Sequence, residues 1–158
     1  HIVGELMKGF LSKRPIIEEQ KKEMKANCPE IDDKYLSLLQ RAAPAISLPS
    51  FTALNTAFCN DVDPELIFAQ GLMGLGKKDD ILLCISTSGN SKNVVAAALT
   101  AKALGLKTIG LTGKTGGRLK SICDICICVP ETETFKVQEL HLPVYHYLCS
   151  RVEKELFK

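Results

Sequence analysis

The segment Ser86-Thr87-Ser88-Gly89-Asn90-Ser91 gathers three serines and a threonine around one glycine. Hydroxyls of this kind donate to phosphate oxygens without adding charge. Gly89 removes a side chain where backbone must come close to a ligand. The apolar run Ile81–Ile85 precedes the segment, and an Ala-rich helical period, Asn93–Leu104, follows it. A loop at such a junction faces the unpaired N–H groups and the positive dipole end of the helix. Together these make an anion site suited to a phosphate. The same residues also fit a polar turn in which Ser91 is simply the helix N-cap. The spacing matches neither a P-loop nor a dinucleotide fingerprint. A second Gly-rich stretch, Gly113–Gly117, lies after the next strand, where it is either a cover for a ligand or a plain loop.

Titratable side chains sit at both ends of the chain. His1 and Glu5 are four residues apart, on one face of a helix. Glu5 lies beside the apolar positions Ile2, Val3, Leu6 and Met7, which favours its desolvation. The pair reads either as acid/base machinery or as a solvated helix pair. Gln138 and His146 are eight apart on a second helical segment. Their directions differ by about 80° at roughly 3.6 residues per turn. Pro143, between them, removes a hydrogen bond to Glu139 and is expected to kink the helix and interrupt its period. Periodicity does not choose between His141 and His146.

These groups must be positioned by a regular scaffold. Ile2, Val3, Leu6, Met7 and Phe10 recur at helical spacing from the first residue, so the sequence opens inside a helix and is expected to lack an N-terminal part. That helix is predicted to end near Lys13-Arg14-Pro15. Two short helices are expected between about Ile16 and Arg41, as a helical insertion. Ala45–Leu48 is predicted as the first strand and Phe51–Phe58 as a helix. Asn60–Pro64 reads as a loop with strong turn chemistry, Pro64 opening the next helix over Glu65–Leu72. Further strands are predicted at Ile81–Ile85, Thr108–Leu111 and Ile125–Val129. The run Ile81–Ile85 is continuously apolar, as in strands buried on both faces. The alternation predicts an α/β fold, a three-layer sandwich with a parallel sheet of about five strands flanked by helices. Ligands then bind outside the carboxyl ends of the strands, where Ser86–Ser91 falls.

Composition narrows the function. A chain of 158 residues suffices for one domain with a sizeable core. A net charge of +2, no Trp and no basic stripe argue against a nucleic-acid surface. No apolar run reaches the roughly 18 residues of a membrane helix. The seven cysteines are odd in number and lie mostly in apolar segments, which suits buried thiols in a reducing cytoplasm. Cys123-Asp-Ile-Cys126 matches C-x-x-C, but no second pair or nearby His completes a zinc site. It reads as the entry to a core strand.

Ile85–Ser91, Leu111-Thr-Gly-Lys-Thr-Gly-Gly117 and Val137-Gln-Glu-Leu-His141, with His1-x-x-x-Glu5 and His146, together resemble the SIS (sugar isomerase) domain family. The likeness is strongest to its phosphoheptose isomerase branch and gives the sheet a flavodoxin-like character. It covers nearly the whole chain except the insertion at 16–41. The resemblance implies a ketose–aldose isomerase for sedoheptulose 7-phosphate, at the start of nucleotide-activated heptose synthesis for surface glycans. It implies phosphate contacts from Ser86, Thr87, Ser88 and Ser91, sugar contacts from Asn60 and Asp61, and a ligand contact from Gln138. Glu5 and His146 take the acid/base roles, with His141 behind them. Some members bind zinc through four positions, here His1, Glu5, Gln138 and His146, one ion per subunit. A homotetramer with sites at subunit interfaces is implied as well. Members usually carry a further N-terminal helix and a Gly-Asn-Gly-Gly-Ser-Ala loop ahead of the position of His1. Thr134-Phe135-Lys136 departs from the family's Ala-Asp-Arg. The rival function is a non-catalytic SIS domain, a sugar-phosphate sensor or protein-binding module. Such relatives tend to lack the carboxylate and the histidine and to carry Arg where Ser88 stands.

Overall fold

The structure is a computed structural model and describes residues 1–157. Its helices and strands run in the order α1 (Ile2–Met7), α2 (Glu18–Asn27), α3 (Asp33–Leu38), α4 (Thr52–Asp61), α5 (Ile67–Leu75), β1 (Ile81–Ser86), α6 (Lys92–Ala103), β2 (Lys107–Thr112), α7 (Leu119–Ile122), β3 (Ile125–Cys128) and α8 (Thr134–Leu156). Two compact units divide the chain: residues 1–46 with 144–158, and residues 47–143. No helix among the described residues is long and apolar enough to cross a membrane.

The larger unit holds a parallel sheet in the order β1-β2-β3, flanked by helices as expected of an α/β fold. Among the described residues the sheet has three strands rather than about five. Ala45–Leu48 forms no strand: it runs as extended coil into a 3-10 turn at Leu48–Ser50, with Pro44 and Pro49 on its flanks. Neither proline can donate to a ladder, so any pairing is confined to the residues between them, and Leu48 is already taken into the 3-10 turn.

Alternation along β1 decides what is buried. Leu82, Cys84 and Ser86 point toward α6, and Cys84 packs with Val95, Ala98 and Leu119. Ala97 and Ala101 pack with Leu72 of α5 and with Leu106. The small side chains of α6 let it lie close against the sheet. Ile81 and Ile85 point the other way and are 66% and 44% exposed. The expectation of burial on both faces therefore holds for one face of β1 only.

The ends of α6 fix the direction of the chain. Gly105 has φ +81° and follows the C-cap Leu104. Its N–H donates to the Lys102 carbonyl and the Leu106 N–H to the Ala101 carbonyl. This is a Schellman closure, and it delivers Leu106 into the core. All seven cysteines are free thiols. Burial is the main reason the Cys84 thiol is pushed up to about 12, so it behaves as a small apolar group.

In the smaller unit α1 ends at Met7, well before the Lys13–Pro15 boundary expected from the sequence. Two helices, α2 and α3, occupy the 16–41 region, and the Asp32 side chain caps α3 by accepting from the Lys34 N–H. Pro143 does not interrupt α8: one helix of 23 residues runs through it. The boundary between the two units falls immediately after this proline.

Candidate functional site

Ser86 closes β1 and Ser91 stands at the N-cap position of α6. Their hydroxyls meet at 2.9 Å across the loop. Ser91 makes no side-chain cap bond to the helix, so the plain N-cap reading is not what the geometry shows. The Ser88 hydroxyl accepts from the Asn90 N–H at 3.1 Å, and the Asn90 amide donates to the Ser88 carbonyl at 3.1 Å. Ser88 and Ser91 are exposed, Thr87 is half-buried and Ser86 is buried. The loop thus presents neutral hydroxyls at the start of a helix of twelve residues.

The second Gly-rich stretch buttresses this loop from outside. Gly113 donates to the Thr87 carbonyl at 2.9 Å, Leu119 to the Gly89 carbonyl at 3.1 Å, and the Arg118 N–H to the Asn90 side-chain oxygen at 2.9 Å. Gly89 has φ +67°, and a Cβ there would run into the Gly116 carbonyl. Both conformation and space demand glycine. The roles expected of Gly113–Gly117 are ligand cover and plain loop; its hydrogen bonds give it a role that neither names, support of the serine loop.

Asn60 and Asp61 are exposed and form the last two residues of α4, not a loop. The turn itself is Val62-Asp63, where the Asp63 side chain accepts from the Glu65 N–H at 2.7 Å and Pro64 opens a 3-10 turn. Glu65 then pairs with Lys92, the first residue of α6, at 2.6 Å. The region after Asp61 is thereby fastened to the same helix start that bears Ser91. Gln138, in the first part of α8, is exposed, and His141 is buried with its Nε2 unpartnered.

In the smaller unit His1, Glu5 and His146 come together from opposite ends of the chain. His1 Nε2 faces Glu5 Oε1 at 3.4 Å, and the His1 and His146 rings meet edge-on with centroids 5.4 Å apart. Glu5 also faces Lys8 Nζ at 3.4 Å, and its side chain is only 15% exposed. Two neighbours escaped the sequence reading. The Tyr145 hydroxyl lies 2.9 Å from His1 Nδ1 and its ring packs against His146, and the Phe10 ring also packs against His146. Tyr145 precedes His146 in sequence, and adjacency on a helix gave no reason to expect both at one spot.

Imidazole, carboxylate and amide are suitable zinc donors. As placed, no three His, Cys, Asp or Glu side chains among the described residues are arranged to hold a metal ion. His1 and Glu5 face each other at 3.4 Å. The donor chemistry suits zinc, while His1, Glu5 and His146 as placed do not form a metal-binding cluster.

Comparison with known proteins bears on both groups of residues. The SIS domain profile matches residues 51–150, a stretch that includes Ser86–Ser91, Asn60, Asp61, Gln138 and His146. The chain is 48% identical over 115 residues to the phosphoheptose isomerase of Nitratiruptor sp., covering 73% of this chain and 62% of that protein. It is 42% identical over 125 residues to the phosphoheptose isomerase of Helicobacter pylori, covering 79% and 65%. Among solved structures it resembles a phosphoheptose isomerase from Francisella tularensis, with a TM-score of 0.70 at 38% identity over 73% of this chain and 62% of that one. The chain spans a little under two thirds of the length of these relatives.

Proposed function

The chain belongs to the SIS domain family, and on that premise we propose that it is an aldose–ketose isomerase converting sedoheptulose 7-phosphate to D-glycero-D-manno-heptose 7-phosphate. The grouping of Glu5, His1 and His146 carries this reading. The serine loop alone would serve a sugar-phosphate sensor equally well, because phosphate binding needs no acid or base. A carboxylate and an imidazole held together are what proton transfer requires.

The phosphate end of the sugar binds the hydroxyls of Ser86, Ser88 and Ser91, with Thr87 beside them, at the start of α6. Asn60, Asp61 and Gln138 contact the sugar. Glu5 removes the proton from C1 of the ketose while His146 donates one to the C2 carbonyl oxygen, giving the enediol. Glu5 then returns its proton to C2, and His146 takes the proton from the C1 hydroxyl. The result is the aldose, with no net gain or loss of protons. Each of these roles commonly contributes about a hundred- to ten-thousand-fold in rate. One substrate must meet both groups, and we place this event in a homotetramer whose neighbouring copies complete each site. The seven free thiols support a reducing, cytoplasmic setting.

An NMR time course of the full-length protein with sedoheptulose 7-phosphate tests the reading. Aldose signals are expected to grow. Arms with added zinc and with chelator report whether a metal contributes. No aldose in any arm overturns the proposal, and ketose binding without turnover would identify a sensor.

A further inference from the structure

The best-connected buried group outside the proposed machinery is the carboxylate of Glu153. It lies on α8 two turns beyond His146 and is 5% exposed. Four donors converge on it. Phe10 N–H donates to Oε1 at 2.8 Å, Leu11 and Ser12 N–H donate to Oε2 at 2.8 and 3.2 Å, and Arg14 Nε donates to Oε1 at 2.7 Å. Burial would raise this carboxyl, but the backbone donors and Arg14 outweigh it and hold the group at about 2. Arg14, 1% exposed, has its guanidinium carbon 4.4 Å from the centre of the Phe157 ring. Its other two nitrogens reach back to α1. Nη1 donates to the Leu6 carbonyl at 2.7 Å and Nη2 to the Glu5 carbonyl at 3.2 Å.

These two carbonyls are among the last four of α1, which a six-residue helix leaves without intrahelical partners. A cation at that end also complements the helix dipole. Such a short helix has little stability of its own. Its orientation is set by what grips its end: Arg14 holds both carbonyls, and the Ala43 N–H adds a second bond to that of Leu6 at 3.1 Å.

We propose that Arg14 and Glu153 are positioning residues for the acid/base group. Arg14 caps the helix that carries His1 and Glu5, and Glu153 fastens Arg14 and the backbone of Phe10–Ser12 to the segment of α8 that carries His146. Neither touches substrate. The proposal rests on the isomerase reading for its catalytic consequence, but its structural content can be tested without turnover.

The test uses the full chain with the double substitution R14M/E153L and the single substitutions R14K and E153Q. Replacing both members of a buried pair by apolar side chains of similar size often leaves stability intact. The double variant is expected to melt near the wild type, with kcat reduced about ten-fold or more and KM for sedoheptulose 7-phosphate changed by less than about two-fold. R14K keeps the charge but lacks the planar fork, and is expected to fall between. Nitrogen-15 spectra of the histidine rings supply the second readout. His1 and His146 signals are expected to shift or broaden, while His141, in the other unit, stays in place as the control. A double variant with wild-type melting, wild-type kcat and unmoved His1 and His146 signals overturns the proposal. If that variant does not fold, R14K and E153Q decide. Losses that merely track melting temperature, or a rise in KM at constant kcat, overturn it. If the wild type shows no turnover the isomerase reading fails, and unmoved ring signals in the variants still sink the positioning role.

Discussion

The serine loop and the proposed acid/base group are built in opposite ways. Ser86–Ser91 is one contiguous segment between a strand and a helix, supported by a second loop within the same unit through bonds such as Gly113 N–H to the Thr87 carbonyl. The group around Glu5 joins residues more than 140 positions apart, and depends on an ion pair between Arg14 and Glu153 to align its short helix. A site of the first kind is specified by local chemistry. A site of the second kind is specified by whatever closes the chain on itself, and it is the more easily lost.

The largest effect expected to sharpen this contrast comes from Glu5→Gln. The amide keeps the shape but cannot accept the proton from carbon. Turnover is expected to fall by about a hundred- to ten-thousand-fold, while inorganic phosphate binding, followed by phosphorus NMR, stays within about two-fold. Retained activity would remove Glu5 from the role of base. Loss of phosphate binding would show that the two regions are not separable.

Acid offers a second way to break the comparison. Glu153 is held at about 2, below its ordinary 4.5, so its contribution is fully present above about pH 4.5. It is lost as pH falls toward 2 and the folded carboxylate takes up a proton. Over that window the amides of Phe10, Leu11 and Ser12 are expected to lose hydrogen-exchange protection by more than about ten-fold, after correction for intrinsic exchange. Leu119, whose N–H supports the serine loop, is not tied to this carboxylate and is expected to hold longer. Equal loss at both places would mean that Glu153 does not stabilise its surroundings selectively.

The same contrast explains what could be read from the chain. The loop was legible because strand, hydroxyls, glycine and helix follow one another, and each obeys a local rule. Gly105, just past the helical period Asn93–Leu104, obeys such a local rule too and closes α6 in a Schellman turn. Asn60 and Asp61 read as turn residues by type, yet the α4 helix runs on through them. Ala45–Leu48 had the apolarity of a strand, but Pro44 and Pro49 bound it closely and its end turns into a 3-10 helix. Pro143 has the chemistry of a helix breaker, but the remaining hydrogen bonds of a 23-residue helix carry α8 past it. Arg14 gave no signal at all. An arginine before a proline looks like a surface boundary, and only the folded chain shows it buried between α1 and Glu153.

The smallest effect concerns how the loop would hold the proposed phosphate. Lys92 follows Ser91 directly and is the obvious cation for a phosphate. Its ammonium is already 2.6 Å from Glu65, and that partner raises its pKa and uses its charge at the surface. If hydroxyls and helix N–H groups do the binding, Lys92→Met should change the dissociation constant for phosphate by less than about two-fold, as for a solvated pair. Ser86→Ala removes a buried hydroxyl and leaves Ser91 without its partner at 2.9 Å. A hydrogen bond to a charged group is worth enough that about ten-fold weakening is expected there. Titration of both variants with inorganic phosphate ranks the two contributions. A larger loss in Lys92→Met than in Ser86→Ala would mean that the lysine charge, and not the serine loop, defines the site.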